Sequence, residues 1–329
     1  MISFERINFE NVPWDALDKF PDRVQMQTRP WIEYIAAAQG AEPVIAAVKE
    51  NSVVLGYFSG LIVKKFGLRI LGSPFKGWAT SYMGFNLPTG YPRAALLPAF
   101  RDFVFTGLKC HYLELIDRNL SSADCSGLPY CVQPANGYEL DLSKNSNELL
   151  ANMFPSCRWS IRKAQKCGLV IESASDAEFA SDYYAQLRDV FDKQSLVPPH
   201  GLDRVEKLIK HIPPDNLLLL RARDNKGVCV GTAIFPAFNG VAYFWGSASL
   251  RQYQNLRPNE AIFWYAMQYW KDHGMKKIDM VGASDYKKKY GTYAITVPRL
   301  IASKYKGLIP ARNIALHAHK IQQWICGRF

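Results

Sequence analysis

One order of elements occurs twice in this chain. Ala46 to Pro74 reads AAVKENSVVLGYFSGLIVKKFGLRILGSP, and Arg221 to Ser249 reads RARDNKGVCVGTAIFPAFNGVAYFWGSAS. In both, β-branched and aromatic residues alternate between polar and glycine-bearing turns, the pattern of three strands joined by hairpins. Gly56 falls against Gly231, and Gly72-Ser73 against Gly246-Ser247. The continuation matches as well. A helical stretch from Pro92 to Thr106 leads to the strand HYLELI, and RPNEAIFWYAMQYWKDHG leads to MKKIDMVG. Matched order over about seventy residues predicts a tandem duplication of an α+β unit, each copy a mostly antiparallel sheet with flanking helices.

The second of these helices carries its own boundary signals. Pro258 suits the first turn, Glu260 the positive end of the helix dipole, Lys271 and His273 the last turn, and Gly274 a left-handed stop. Its apolar residues (Ile262, Phe263, Trp264, Tyr265, Met267, Tyr269 and Trp270) go nearly all round, so it should be covered on more than one side. Between the copies lies YELDLSKNSNELLANMF, a strand and then a helix capped by Ser143 or Asn145 and interrupted at Pro155. The expected boundary is near residue 145, giving domains 1–144 and 145–329. A chain of 329 residues has enough length for two cores.

The charge balance narrows the partners. Forty Lys and Arg against 29 Asp and Glu give +11, an excess that attracts tRNA, nucleotide phosphates or an anionic membrane face. The seven cysteines are scattered with no C-x-x-C spacing, which fits reduced thiols in a cytosol, and the histidines show no metal-ligand spacing, so no metal is expected. The opening MISFERINFE has acidic residues where a secretory leader needs a basic region and an apolar run. No apolar stretch approaches the ~20 residues of a membrane span. The expectation is a cytoplasmic monomer.

RWSIRKAQKCG, residues 158 to 168, concentrates the charge. Phe154, Cys157, Ile161, Ala164 and Gly168 recur at helical spacing as the stripe to be buried, while Arg158, Arg162 and Lys166 line a neighbouring edge and Lys163 lies further round. No acid lies four residues from these cations, and two are Arg, whose planar fork suits phosphate. A solvated face and an anion grip are both open from spacing alone.

The run YELDLSKNSNELLANMFPSCRWSIRKAQKCGLVIE resembles the centre of the FemAB family, peptidyltransferases built from two GNAT-like domains, whose pattern there is R-x-x-I-R-K-A-x-x-x-G. Arg158, Ile161, Arg162, Lys163, Ala164 and Gly168 match it by position. YFWGSAS, LRPNEAIFWYAM, KKIDMVGAS and YKKKYGT resemble the family's closing block, with Tyr286, Lys287, Tyr290 and Gly291 on its aromatic-Lys-x-x-aromatic-Gly motif. MQTRPWIEYI is similar to its opening. The resemblance is specific over residues 138–170 and 243–292 and weaker over 75–135. It implies transfer of an acyl group onto an amine, with an amino acid taken from aminoacyl-tRNA and delivered to a cell-wall or glycoconjugate precursor. A looser set of relatives implies an acyl-CoA donor and an amino-sugar or polysaccharide acceptor. A non-catalytic module that binds tRNA or an anionic glycan is the remaining alternative.

No Ser-His-Asp or Cys-His arrangement is legible, so direct attack by the amine is expected, without a covalent enzyme intermediate. On the motif match Lys287 is the candidate for stabilising charge at the reacting carbonyl or on a phosphate. Asp279, at the end of a predicted strand, either positions or deprotonates the amine or caps the next loop. Arg158, Arg162 and Lys163 are candidate phosphate contacts, and Tyr286 and Tyr253 candidate substrate contacts. GNAT enzymes bind CoA pyrophosphate on a [QR]-x-x-G-x-[GA] loop at a helix start. Here the corresponding loops are RQYQNLRPNEA, with no glycine and a proline, and NLPTGYPRAAL, with one glycine. That departure favours aminoacyl-tRNA as donor over acyl-CoA, with no firm cofactor. The tail YKGLIPARNIALHAHKIQQWICGRF is basic and amphipathic, expected to dock on its own domain, or to touch the inner membrane face where the acceptor is lipid-linked.

Overall fold

The computed structural model describes residues 1–192 and 196–314. The chain forms two units. The first runs over Met1–Asn136 and takes in the described chain from Thr296; the second is Gly137–Ile295. The single boundary expected near residue 145 is thus replaced by two crossings, one a little earlier and one where the chain returns. The amphipathic tail beyond residue 314 lies outside the described residues.

The elements of the first unit are β1 (Ile2–Ile7), α1 (Trp14–Leu17), α2 (Arg29–Gln39), β2 (Glu42–Glu50), β3 (Val53–Lys65), β4 (Leu68–Ser73), β5 (Gly84–Asn86), α3 (Leu97–Asp102) and β6 (Tyr112–Ile116). β7 (Cys131–Asp141) leads into the second unit. There follow α4 (Ser146–Asn152), α5 (Pro155–Lys166), β8 (Val170–Ser173), α6 (Phe179–Asp192), α7 (Leu202–His211), β9 (Leu217–Arg223), β10 (Cys229–Phe238), β11 (Val241–Tyr243), β12 (Gly246–Ser249), α8 (Pro258–Asp272) and β13 (Lys277–Asp279). β14 (Tyr293–Ser303) carries the chain back.

The strand orders show the duplication. The first unit runs β1-β2-β3-β4-β6-β14 and the second β8-β9-β10-β11-β13-β7. Each is antiparallel except at one place, β4 with β6 and β11 with β13, where an intervening helix permits a parallel pair. The matched glycines serve matched ends. A Cβ on Gly56 would meet the Asn86 carbonyl at 2.1 Å, and one on Gly231 would meet Pro258 at 2.9 Å, so both let the next element close onto the sheet. The fold is the α+β tandem expected from the repeat.

α8 is covered on two sides, by α5 and by β9 and β10. Phe263 packs with Phe235, Phe244 and Tyr290, and burying each such ring stabilises by about 1.5–3 kcal/mol. The helix expected over 92–106 forms in three pieces, a 3-10 turn at Arg93–Leu96, then α3, then a π turn at Phe103–Gly107. Phe100 at its centre packs on Phe58 and Phe85. No helix among the described residues is long and apolar enough to cross a membrane.

Where the two sheets differ sets the site. β11 pairs with β13 only as far as Tyr243 and Asp279, and Phe244 N then donates to Asp279 O at 2.8 Å. The strand bulges at Phe244-Trp245, and β12 pairs with β10 alone. The sheet of the second unit therefore opens as a wedge between β12 and the residues after Asp279. In the first unit β5 takes the place of β12, pairing Gly84–Asn86 with Tyr57–Ser59 after a detour through residues 74–83. Met83 bridges to Asp117 at the end of β6, so that wedge is filled.

Candidate functional site

Lys287 is built into the open wedge of the second unit. β13 ends at Asp279, whose Oδ1 accepts from Val281 N at 2.7 Å and turns the chain. Val281 sits at φ 50° and Gly282 at φ 98°. A left-handed conformation at a β-branched residue costs on the order of 1–3 kcal/mol, so the surroundings must hold it in place. Lys287 does so. Its Nζ donates to the carbonyls of Met280 at 2.6 Å, Val281 at 3.0 Å and Gly282 at 3.3 Å, matching the three donors of an ammonium to three consecutive acceptors. The residue is 6% exposed. Burial pushes its pKa down to about 8, and the Asp279 carboxylate pulls it partly back up. At neutral pH the ammonium persists, which the three carbonyls require.

The rest of the motif anchors this turn. Lys287 lies in a short 3-10 segment, Asp285–Tyr290. The Tyr290 ring is buried 4.0 Å from that of Phe263 on α8. Gly291 is left-handed at φ 79°, and a Cβ there would stand 3.0 Å from the Asn152 backbone, so only glycine lets the turn close on α4. Phe154 N donates to Lys289 O at 2.9 Å, and Lys289 pairs with Glu260 at 2.6 Å. Tyr286 is half-exposed, with the Lys287 Nζ 5.8 Å from its ring centre. The Tyr253 ring is partly buried against the core of the unit.

The basic helix resolves into residues with different duties. Asn145 caps α4, with Glu148 closing the capping box, and Pro155 starts α5. Cys157, Ile161 and Ala164 are buried as the stripe requires, joined by Ser160. Phe154 and Gly168, assigned to the same stripe, are exposed because they flank the helix, Phe154 as its N-cap. Arg158 is half-buried, and its Nη1 donates to Ala151 O at 3.0 Å and to Met153 O, satisfying orphan carbonyls at the end of α4. It is a strut between the helices, with only Nε and Nη2 left for an anion. Arg162 and Lys166 are exposed, and Lys163 lies over the ring of Trp159 at 5.1 Å. Among the described residues Arg162, Lys163 and Lys166 make no ion pair, so they present uncompensated charge.

Sequence reasoning missed three features. The carbonyl cradle at 280–282 has no side-chain signature. Arg257 adopts the left-handed conformation (φ 62°) at the start of α8, the geometry a glycine would supply in a pyrophosphate loop, and Pro258 follows at the first helical position. Tyr183, His200 and Trp245, far apart in the chain, gather at the β12 side of the opening, with His200 5.1 Å from Trp245 and 6.3 Å from Tyr183. Burial pushes His200 down to about 4, so its imidazole is neutral at pH 7.

Comparison with known proteins agrees with this architecture. Residues 153–288 match the family described as an acetyltransferase (GNAT) domain. No curated protein sequence matches the chain. Among solved structures, FemX superposes with a TM-score of 0.72 at 15% identity, over 89% of this chain and 96% of that one. L-PGS from Bacillus licheniformis gives 0.52 at 12% identity over 93% and 99%. A tandem GNAT protein from the clavulanic acid biosynthesis pathway gives 0.52 at 11% over 92% and 98%. The match spans the carbonyl cradle, the basic helix and the broken strand together: residues 153–288 are similar to the acetyltransferase (GNAT) domain family, and the chain takes a fold that it shares with FemX.

Proposed function

We propose that this protein is an acyltransferase of the FemAB/GNAT type that moves an amino acid from aminoacyl-tRNA onto an amine of a cell-wall or glycoconjugate precursor. The observation that carries the reading is the buried Lys287 ammonium at the open wedge. The acceptor nitrogen attacks the carbonyl carbon of the aminoacyl ester, and the bond to the ribose oxygen breaks. The nitrogen's proton passes to that leaving oxygen, so the products are an amide and a free ribose hydroxyl. Lys287 supplies positive charge toward the developing oxyanion and fixes the 280–282 turn, and Asp279 holds that turn from the strand side. Arg162, Lys163 and the free part of the Arg158 fork meet donor phosphates; Tyr286 borders the acceptor.

The choice of tRNA rests on the resemblance to the FemAB family and on a helix start with proline in place of an amide donor. The GNAT family match supports the second reading, an acyl-CoA donor. The test follows a labelled amino acid from aminoacyl-tRNA to a muramyl-peptide or amino-sugar acceptor, beside a Lys287→Ala variant. Loss of about 100-fold or more in turnover with the fold intact is expected. Unchanged turnover removes Lys287 from the chemistry. Saturable acetyl-CoA binding with no affinity for tRNA reverses the order of the donors.

A further inference from the structure

We infer that Trp159, with Lys163, Arg257 and Arg162, forms a seat for an adenosine phosphate, the chemistry shared by the nucleotide of acyl-CoA and the 3′ end of aminoacyl-tRNA. This rests on the acyl-transfer reading and adds where the donor's nucleotide lies.

Trp159 stands on α5, yet it is 52% exposed while Cys157, Ile161 and Ala164 beside it are buried. An indole left in water forfeits burial free energy of about 1.5 kcal/mol or more unless something else covers it. Two cations already gather at this one. Lys163 Nζ is 5.1 Å and Arg257 Cζ 5.4 Å from the ring centre. Arg257 is held there at a cost, in the left-handed region, with its Nε buried and making no hydrogen bond. No acid balances the group among the described residues. The acid in the first turn of α8, Glu260, is engaged by Lys289. A 3-10 segment, Arg251–Leu256, links β12 to α8, so Arg257 stands at the end of the connection that leaves the strand on one side of the wedge.

The combination selects its ligand. A simple phosphate has no use for an exposed indole, and an acyl chain has none for three unpaired cations. A base on a phosphate uses both. Stacking of a base on an aromatic ring contributes about 1–3 kcal/mol, and Lys and Arg forks hold the phosphate oxygens. The seat is independent of Lys287, which binds no nucleotide in this scheme.

Calorimetric titration of the full chain with adenosine 3′,5′-bisphosphate and, separately, with inorganic pyrophosphate tests the assignment. The nucleotide should bind about tenfold more tightly than pyrophosphate, as one stacked base predicts. Trp159→Ala should abolish that preference while leaving pyrophosphate affinity in place, Trp159→Phe should restore most of it, and Lys163→Glu with Arg257→Glu should weaken both ligands. Nucleotide affinity unchanged in Trp159→Ala overturns the seat. Competition by coenzyme A or by a short RNA ending in CCA identifies the source, and displacement by neither also overturns it. The two readings fail separately. Acyl transfer with an unaltered donor KM in Trp159→Ala removes the seat and keeps the transferase. Trp159-dependent nucleotide binding without transfer from any donor does the reverse.

Discussion

The two halves of this protein share a strand order and differ in how each treats the gap that the order creates. In the first unit β5 fills the gap, and a buried ionic network locks it. Arg93 donates to Asp117 at 2.9 Å and to the Phe85 carbonyl at 2.9 Å, and it also pairs with Asp22. Asp117 accepts in turn from Phe85 N at 2.9 Å and Asn119 N at 2.8 Å. In the second unit the gap stays open, and one buried cation faces backbone carbonyls with a single carboxylate nearby. The filled wedge holds one cation shared between two carboxyl groups, whereas the open wedge holds an ammonium on backbone carbonyls. The two units share the frame and differ in the side chains at the gap.

Substitutions that exchange these properties break the comparison. The largest effect is expected in the filled wedge. Arg93→Met leaves the buried Asp117 carboxyl and the partly buried Asp22 without their shared cation and should cost about 3–5 kcal/mol of stability, read from urea unfolding. If it unfolds no more readily than the parent, the first wedge is not held by its charges.

The open wedge should respond to pH instead. Lys287 is held at about 8, below its ordinary value, so the folded chain sheds this proton before the unfolded chain does. Stability from this group therefore rises as pH climbs from about 8 toward the unfolded lysine range, and Lys287→Met should remove that slope. Turnover moves the opposite way, falling about tenfold per pH unit above pH 8 as the ammonium is lost, a decline that Lys287→Arg should abolish. A flat profile in the parent protein detaches the ammonium from the reaction. Smallest is the strut. Arg158→Met should lose about 1 kcal/mol of stability and raise donor KM only a few-fold, since part of its fork is spent on the end of α4. A large rise in KM would make Arg158 a phosphate contact first.

The repeat, the cap at Asn145, the break at Pro155 and the buried faces of α5 and α8 were all legible in the sequence, because each follows from periodicity or from a residue with one conformational use. Lys287 and Gly291 were legible as a motif. The division of labour along α5 was not. Helical spacing set Lys163 apart from Arg158 and Arg162 but gave all three the same candidate role, and only the end of α4 and the ring of Trp159 distinguish their contacts. The boundary near residue 145 slipped for a similar reason. β14 returns to pair with β6, Arg299 to Ser303 against Tyr112 to Ile116, and such a long-range pairing leaves no local mark.

The sequence by itself determined two copies of one α+β unit and a basic helix leading into the second, since alternation, turn residues and helix caps act over a few residues. Only the tertiary structure decided which copy stays open, that the Lys287 ammonium rests on three carbonyls, and that Arg257 meets Trp159 across two helices. Those outcomes depend on backbone direction and on side chains distant in the chain, and both are fixed when the sheets close.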